Sequence, residues 1–221
     1  MDKLTCSVLD RGRTRFFYVE YDSKFFDLYD VEEVQSVCVF LEDIYKLLKL
    51  ANKTDTLSLV FKEDVFVAEL ISDGNKRMFE FILPIDFIET PNFPNASLPY
   101  KLDLSIKEMK QSVKDISLLG NHIFQLVLSR DTVTLMSDNS AESSEFSSVK
   151  YAQVIESEVD IDDVFSIRFN LDYISQMLKF NKISKEVSIE VSEQALFYKL
   201  EDDIMGVCVR GMIAPRVEIE E

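Results

Sequence analysis

Short segments in which apolar and polar residues alternate recur along the whole of this 221-residue chain. A period of two predicts β-strands that bury one face and expose the other. The segments are 15–21, 56–61, 65–71, 76–83, 123–128, 132–136, 146–153, 164–169, 186–191, 195–200 and 206–214. A chain built mainly of such strands has to form sheets whose apolar faces are covered by other elements.

Three segments show helical spacing of apolar residues instead: 40–53, 105–119 and 170–182. The order strand, helix and three strands occurs over 100–153 and again over 164–214. One further copy covers 35–83 and follows a partial copy. Between the copy over 35–83 and the copy over 100–153, four prolines predict an extended connector: Pro84, Pro91, Pro94 and Pro99. We therefore predict an α+β fold with an N-terminal domain over 1–84, a connector over 85–99 and a C-terminal domain over 100–221.

The net charge of −16, from 24 Lys and Arg against 40 Asp and Glu, argues at first against nucleic-acid binding. The distribution of charge can override the total if the basic residues share a face. In the first predicted helix, Leu41, Ile44, Leu48 and Ala51 form the apolar stripe, with lysines on nearly the opposite side. All three helices carry lysines: Lys46, Lys49, Lys53, Lys107, Lys110, Lys114, Lys179 and Lys182. They are either solvated helix faces or a surface that follows a phosphate backbone without reading bases.

No constellation of catalytic or metal-binding residues is visible in the sequence. His122 is the only histidine, so neither a His-based metal site nor a Ser-His-Asp triad can form without it. The acidic stretch 156–163 lacks the spacing of a calcium loop and is interpreted as solvated. Cys6, Cys38 and Cys208 have no paired spacing, so we expect reduced core thiols in an intracellular protein. We predict no enzyme activity, no cofactor, no metal and no membrane span.

Several segments, taken in order, resemble the eukaryotic and archaeal DNA sliding clamps, the family of proliferating-cell nuclear antigen. The most specific is Ala214-Pro215-Arg216-Val217-Glu218, where an apolar run meets a proline and an acidic tail. Leu9-Asp10 with 16–21 is similar to the clamps' pocket loop and strand, and 89–100 with Phe93-Pro94 is similar to their connector. Segments 40–53, 114–120 and 169–182 are similar to clamp helices. The shared order of these segments covers most of the chain.

The resemblance implies the DNA-clamp fold and a nuclear, non-enzymatic processivity factor. Three copies would close head-to-tail around duplex DNA and tether polymerases and repair proteins through short peptide motifs, after an ATP-dependent loader opens the ring. The eight lysines above would face the DNA. The partner-peptide pocket would consist of Leu9, Phe16, Phe93, Pro94, Met212, Ile213, Ala214 and Pro215. The subunit interface would join 76–83 to 146–153 of the next copy, through Arg77, Phe79, Phe81, Phe146, Val149 and Tyr151.

The chain departs from the family pattern in two ways that bear on function. The opening strand, helix and strand of a clamp have no counterpart before the pocket loop, so the first domain is expected to be incomplete. Arg13 stands in the place of the pocket loop's histidine, and Met212 in that of an aromatic residue. Two alternatives stay open: a subunit of a heterotrimeric or checkpoint-type clamp, and a clamp-like interaction scaffold that does not encircle DNA.

Overall fold

The computed structural model describes residues 3–33, 36–62, 65–83, 92–118, 120, 122–129, 132–137, 151–154 and 164–216. The chain forms two compact units. Unit 1 comprises Asp30–Glu89, and unit 2 comprises Asp2–Tyr29 together with Thr90–Glu221. This division differs from the predicted boundary, which placed all of 1–84 in the first domain. The segment before residue 30 belongs to unit 2 because its strands pair with the last strand of that unit.

Unit 1 consists of one helix and a three-stranded antiparallel sheet of order β3-β4-β5. Its elements are α1 Leu41–Leu50, β3 Thr56–Lys62, β4 Val65–Ser72 and β5 Asn75–Ile82. Leu47 of α1 packs on Ala68 and Leu70 of β4, and these three form the buried core of the unit. Phe79 and Phe81 of β5 pack against the same core, so one face of the sheet meets the helix.

Unit 2 contains two sheets and two helices. Its elements are β1 Lys3–Leu9, β2 Arg15–Asp22, β6 Tyr100–Ser105, α2 Ile106–Leu118, β7 Ile123–Ser129, β8 Thr132–Met136, β9 Tyr151–Val154, β10 Phe165–Asn170, α3 Leu171–Met177, β11 Glu186–Val191, β12 Leu196–Asp202 and β13 Val207–Ile213. A 3-10 turn, Leu178–Phe180, extends α3. The larger sheet has the order β1-β2-β13-β12-β11-β6, and the smaller has the order β10-β7-β8-β9.

The core of unit 2 lies between the helices and one face of each sheet. Strand β7 turns one face toward this core: Phe124, Leu126 and Leu128 are buried, and the residues that alternate with them are half-buried. Helices α2 and α3 pack against each other. Ile106, Met109 and Ile116 of α2 join the same cluster as Ile174 of α3. The predicted α+β fold is confirmed.

The predicted helices are confirmed, with later starts and earlier ends. The apolar stripe predicted for α1 is wrong at Leu41 and Leu48, which are exposed, and it omits Leu47, which is the buried position. Ala51 does pack against the core of the unit. The predicted strands are confirmed within one or two residues where the structure describes them, and 146–150 lies outside the described residues. Strand β1 was not predicted. The three thiols are free, but Cys6 is exposed and the other two are half-buried, so the prediction of core thiols is wrong.

Gly211 allows an aromatic ring to lie directly on strand β13. It pairs with Tyr198 on β12, and a Cβ atom at position 211 would overlap the atoms of the Tyr198 ring. A glycine inside a strand often marks such a close approach. The Tyr198 ring is buried, and burial raises the pKa of its hydroxyl to about 12, although the nearby Arg15 acts in the opposite direction.

We expect Gly211→Ala to lower the free energy of unfolding by about 1–3 kcal/mol, because the added methyl overpacks a filled site. Urea denaturation followed by circular dichroism would measure this. Gly12→Ala is the matched control, since the nearest atoms, from the Thr14 side chain, lie 3.7 Å from the new Cβ, an ordinary contact distance. Equal denaturation midpoints for the two variants would contradict the packing assigned to Tyr198.

Candidate functional site

Four apolar side chains form a row across the outer face of the larger sheet of unit 2. Leu9 of β1 pairs with Phe16 of β2, Phe16 pairs with Met212 of β13, and Met212 pairs with Phe197 of β12. Residues paired across neighbouring strands point to the same side of a sheet. The row therefore presents a continuous apolar strip on the face opposite the helices. We call these four residues the apolar row.

Phe93, from the described part of the connector, lies on this row. Its ring centroid is 5.8 Å from that of Phe16, 5.5 Å from that of Phe197 and 6.3 Å from that of Tyr18. These are normal separations for aromatic packing. Phe16 and Phe197 are buried, while Phe93 and Pro94 remain half-buried. An extended segment with no strand of its own thus holds an aromatic residue against the sheet.

The backbone near Phe93 is fixed to the sheet by a second contact. The amide N–H of Leu98 donates to the Oε2 of Glu190 on β11, at 2.9 Å. The Nζ of Lys101 lies 3.6 Å from the Oε1 of the same carboxylate. Glu190 therefore positions the end of the connector at the start of β6.

The loop between β1 and β2 is organised by the carboxylate of Asp10. It accepts hydrogen bonds from Thr14 N (2.7 Å), Thr14 Oγ1 (2.8 Å) and Arg15 N (2.8 Å). Burial alone would raise the pKa of Asp10, but these hydrogen bonds, with that from the Arg15 side chain, lower it below its usual value of 3.8. Arg13 in this loop adopts a positive φ of 53°. The carboxylate is what keeps this tight loop in place.

The segment after β13 closes one end of the site. Ala214 N donates to Thr14 O, and Arg216 N donates to Arg168 O, both at 2.8 Å. Ala214 and Pro215 are half-buried beside the loop. Ile213 was predicted to line the pocket, but it is buried in the core. Because successive side chains of a strand alternate, Met212 faces outward and Ile213 inward.

A polar row borders the apolar row. The Tyr18 hydroxyl donates to the Oε1 of Glu20 at 2.9 Å, and Arg210 Nη2 lies 3.9 Å from the Oε2 of Glu20. Burial, the hydrogen bond to Glu20 and the charge of Glu20 raise the pKa of Tyr18 to about 12, although Arg210 acts to lower it. Tyr18 is thus a neutral hydrogen-bonding residue at the edge of an apolar surface.

Sequence reasoning missed Phe197 and Tyr18. Leu196, Phe197 and Tyr198 form an unbroken apolar run, in which no alternation indicates which residue faces outward. Tyr18 lies in a strand that was predicted, but its neighbour Phe93 comes from a segment 75 positions later in the chain. Only the folded arrangement brings these rings together.

The predicted DNA-facing lysines lie on or just beyond helices in both units. In unit 1, Lys46 Nζ is 2.9 Å from Glu42 Oε1 and 3.6 Å from Asp43 Oδ1, and Lys49 Nζ lies 4.4 Å from the centroid of the Tyr45 ring. Hydrogen bonding to Glu42 raises the pKa of Lys46. Of the other six lysines, Lys110 is half-buried. The remaining five are exposed: Lys53, Lys107, Lys114, Lys179 and Lys182. Part of the positive charge of α1 is therefore balanced locally.

The predicted interface residues fall on edge strands where they are described. Within the described ranges, β5 pairs only with β4, and β9 pairs only with β8. Phe79 and Phe81 turn toward the core of unit 1, and Arg77 Nη2 pairs with Asp55 Oδ2 at 2.8 Å. Tyr151 begins β9, whereas Phe146 and Val149 lie outside the described residues. At these edges, the groups available for pairing with another strand are backbone N–H and C=O groups.

The described residues contain no cluster of three or more His, Cys, Asp or Glu that could hold a metal ion. His122 is exposed before β7, and its carbonyl accepts a hydrogen bond from Leu171 N. In the same part of the chain, no helix has the length and apolar character needed to cross a membrane.

The pKa of Asp10 has a consequence for stability. A lowered folded-state pKa stabilises the protein above the unfolded pKa, and the effect disappears as pH falls through the folded value. We expect Asp10→Asn to lower the free energy of unfolding by about 1–3 kcal/mol at neutral pH, since hydrogen bonds to a charged group are lost. The difference from the wild type should shrink as pH falls below 3.8. Urea denaturation over a pH series would measure it.

The control is Asp27→Asn, which removes the same charge from an exposed position. It should leave the free energy of unfolding nearly unchanged. A difference between Asp10→Asn and the wild type that persists undiminished at low pH would show that the carboxylate is not what organises the loop.

Comparison with known proteins points to one family. No family model matches the chain. It is 28% identical over 226 residues to DNA polymerase sliding clamp 3 of Sulfurisphaera tokodaii, covering 98% of this chain and 87% of that protein. It is 25% identical over 224 residues to the DNA polymerase sliding clamp of Methanothermobacter thermautotrophicus, covering 99% of this chain and 86% of that protein. It is 23% identical over 230 residues to proliferating cell nuclear antigen of Saccharomyces cerevisiae, covering 100% of this chain and 88% of that protein.

The fold agrees with these relatives. The structure of PCNA from Thermococcus kodakaraensis superposes with a TM-score of 0.76 at 22% identity, covering 98% of this chain and 87% of that one. At this level of identity the superposition establishes the DNA-clamp fold. Together with relatives that match nearly the whole chain, it shows that the proteins to which this chain is similar, in sequence and in fold, are the DNA sliding clamps, among them proliferating cell nuclear antigen.

Proposed function

We propose that this protein is a subunit of a ring that encircles duplex DNA and serves as a processivity factor. The observation that carries the proposal is the antiparallel pairing of β2 with β13 inside unit 2. Strand β2 follows β1 in a hairpin as β9 follows β8, and β13 follows β12 as β5 follows β4. The edge strands β5 and β9 are therefore the counterparts of two strands that already pair.

The same pairing between β5 of one copy and β9 of the next would produce a head-to-tail contact. Such a heterologous contact generates a closed ring when its rotation closes. It would also remove two exposed sheet edges, which otherwise invite aggregation. Three copies of the 25.6 kDa chain would form the ring.

A ring needs only weak contacts to the DNA, because release requires that it open. The helix lysines supply such contacts to phosphates, without the bidentate arginine contacts that read bases. The ring would act in the compartment that holds the DNA, which in a eukaryotic cell is the nucleus. A separate ATP-dependent loader would open it.

The apolar row and Phe93 form the site for partner proteins. A peptide with a short helix could place an apolar side chain on Met212 and Phe197 and extend along the connector. Polymerases and repair proteins would be tethered in this way. The polar row at Tyr18 and Arg210 offers hydrogen bonds at the rim, as is usual around an apolar binding centre.

Ring formation can be tested with linear duplex DNA that carries biotin at both ends. A ring threads over free ends, is trapped when streptavidin blocks them, and escapes when the DNA is cut. We expect the wild type to be trapped, and to have a solution mass near three times 25.6 kDa. Lys46→Glu with Lys49→Glu should reduce the trapped fraction severalfold without changing the mass, because phosphate contacts become repulsive.

Lys199→Glu is the matched control, because this lysine lies on a strand, beside Glu201. It should leave trapping unchanged. A protein that binds partner peptides as a monomer and is never trapped would contradict the ring and favour the interaction scaffold. Unchanged trapping of the double lysine variant would reject the DNA-facing role of α1.

Phe93→Ala tests the partner site. The probe is a peptide whose helical turn presents apolar side chains. Loss of a central aromatic contact should weaken its binding free energy by on the order of 1–3 kcal/mol. Fluorescence titration would measure this. Phe25→Ala is the control, since Phe25 lies in a separate aromatic cluster with Tyr21 and Phe26. Equal affinities for wild type and Phe93→Ala would reject the assignment of the apolar row.

A further inference from the structure

The arginines of this chain are distributed differently from its lysines. The eight lysines predicted to face DNA lie on or just beyond the three α-helices, and no arginine lies in any of these helices. Three arginines alternate with other residues in and next to the loop between β1 and β2: Arg11, Arg13 and Arg15. A fourth, Arg216, comes three positions after the end of β13. The two kinds of cation therefore occupy different surfaces.

Backbone hydrogen bonds bring this loop and the segment after β13 together. Arg13 N donates to Asp10 O at 3.0 Å, which closes the turn. Ala214 N donates to Thr14 O at 2.8 Å, which continues the pairing of β2 with β13 by one position. Arg216 follows two positions later. All four arginines thus lie at the end of the larger sheet where β2 begins and β13 ends.

Arg15 is committed to contacts within the protein. Its Nη1 donates to the Oε1 of Gln176 at 2.7 Å, and its guanidinium carbon lies 4.3 Å from the centroid of the Tyr173 ring. Its Nε lies 3.5 Å from the Oδ2 of Asp10. The Asp10 carboxylate also accepts hydrogen bonds from Thr14 and from the backbone of Arg15. The acidic residue of the loop is therefore paired with Arg15, and its oxygens are occupied.

The other three arginines are exposed: Arg11, Arg13 and Arg216. Between residues that the structure describes, no ion pair involves their side chains. Glu193 is exposed at the same end of the sheet, on the hairpin between β11 and β12, which β13 separates from the loop. In a protein with a net charge of −16, these three cations form a local basic surface. We call them the arginine patch.

The arginine patch adjoins the apolar row on the side opposite the polar row. Successive outward residues of a strand are two positions apart, so Tyr18 of the polar row follows Phe16, and Thr14 of the loop precedes it. Met212 pairs with Phe16 and lies two positions before Ala214. A peptide side chain that rests on Phe16 and Met212 therefore has the polar row on one side and the arginine patch on the other.

We propose that the arginine patch is an anion subsite of the partner site, which selects peptides with an acidic or phosphorylated side chain next to their apolar helical turn. This inference rests on the partner site proposed above. Arginine presents a planar fork of donors that binds two oxygens of a carboxylate or phosphate at once, whereas lysine acts as a point charge. Complementary charge beside an apolar binding centre gives specificity among partners. The patch thus decides which apolar peptides bind.

Duplex DNA is the competing polyanion for such a surface. Contacts to phosphates that do not read bases are already supplied by the helix lysines. The arginine patch instead continues the sheet end that carries Leu9 and Met212, where an apolar side chain and an anionic side chain of one peptide can bind together. This arrangement favours a peptide over DNA.

Fluorescence titration of the full chain tests the subsite with two peptides that share one apolar helical turn. They differ only in the residues that flank the turn, which are glutamine in one peptide and glutamate in the other. At about 50 mM salt the glutamate peptide should bind roughly fivefold more tightly, and the difference should largely vanish at about 0.5 M salt, because exposed charge pairs are screened. A third peptide with phosphoserine at these positions should bind more tightly still, since each phosphoserine carries nearly two negative charges.

Arg11→Gln with Arg13→Gln should abolish the preference for the anionic peptides and leave the affinity for the glutamine peptide unchanged. These side chains make none of the hydrogen bonds that hold the loop, which come from backbone groups, Thr14 and Arg15. Lys62→Gln with Lys185→Gln is the matched control, because it removes the same charge from exposed positions elsewhere. This control should keep the full preference.

The glutamates that follow Arg216 call for a second control. They lie outside the described residues: Glu218, Glu220 and Glu221. Their replacement by glutamine should retain or increase the preference for the glutamate peptide, because negative charge close to the patch is removed. A preference that is lost in this variant would contradict its assignment to the arginines.

Equal affinities of the wild type for all three peptides would overturn the subsite alone. A preference that persists in the double arginine variant would also overturn it, and reduced trapping of that variant on blocked linear DNA would then assign the patch to DNA. A parallel loss of affinity for the glutamine peptide would give the arginines a structural role instead. If no peptide binds, the proposed partner site itself fails, and the subsite fails with it.

Discussion

The antiparallel pairing of β2 with β13 is the contact on which the rest of unit 2 depends. It joins residues near the start of the chain to residues near its end, over seven paired positions from Arg15 with Ile213 to Tyr21 with Val207. Because the side chains alternate, this single register decides which residues face the helices and which face outward. A shift by one position would exchange Met212 with Ile213 and destroy both the core and the apolar row.

The two faces of this sheet have different roles. The inner face is filled by residues such as Val209 and Ile213 and packs in the same core as the helices. The outer face carries the apolar row, which is covered in part by Phe93 from the connector. A rigid sheet that is buried on one side can hold an apolar site on the other without loss of shape.

The repeat within the chain relates one satisfied strand pairing to two open sheet edges. One pairing, β2 with β13, is satisfied internally, and its counterparts β5 and β9 are open edges among the described strands. In unit 1, the apolar residues Leu41, Leu48 and Leu57 are exposed, because its described elements do not cover them.

Periodicity in the sequence predicted every α-helix and all the described strands except β1, because a period of two or 3.6 is a local property. Through the resemblance to clamps, Phe16, Phe93 and Met212 were predicted to share a pocket, and the structure brings these three residues together. Sequence reasoning failed where the answer depends on a neighbour: Leu47 rather than Leu48 is buried in α1, Ile213 faces the core, and Phe197 and Tyr18 meet Phe93. Periodicity fixes the spacing of apolar residues, but only tertiary packing decides which side of an element is covered, because covering requires contacts between residues distant in the chain.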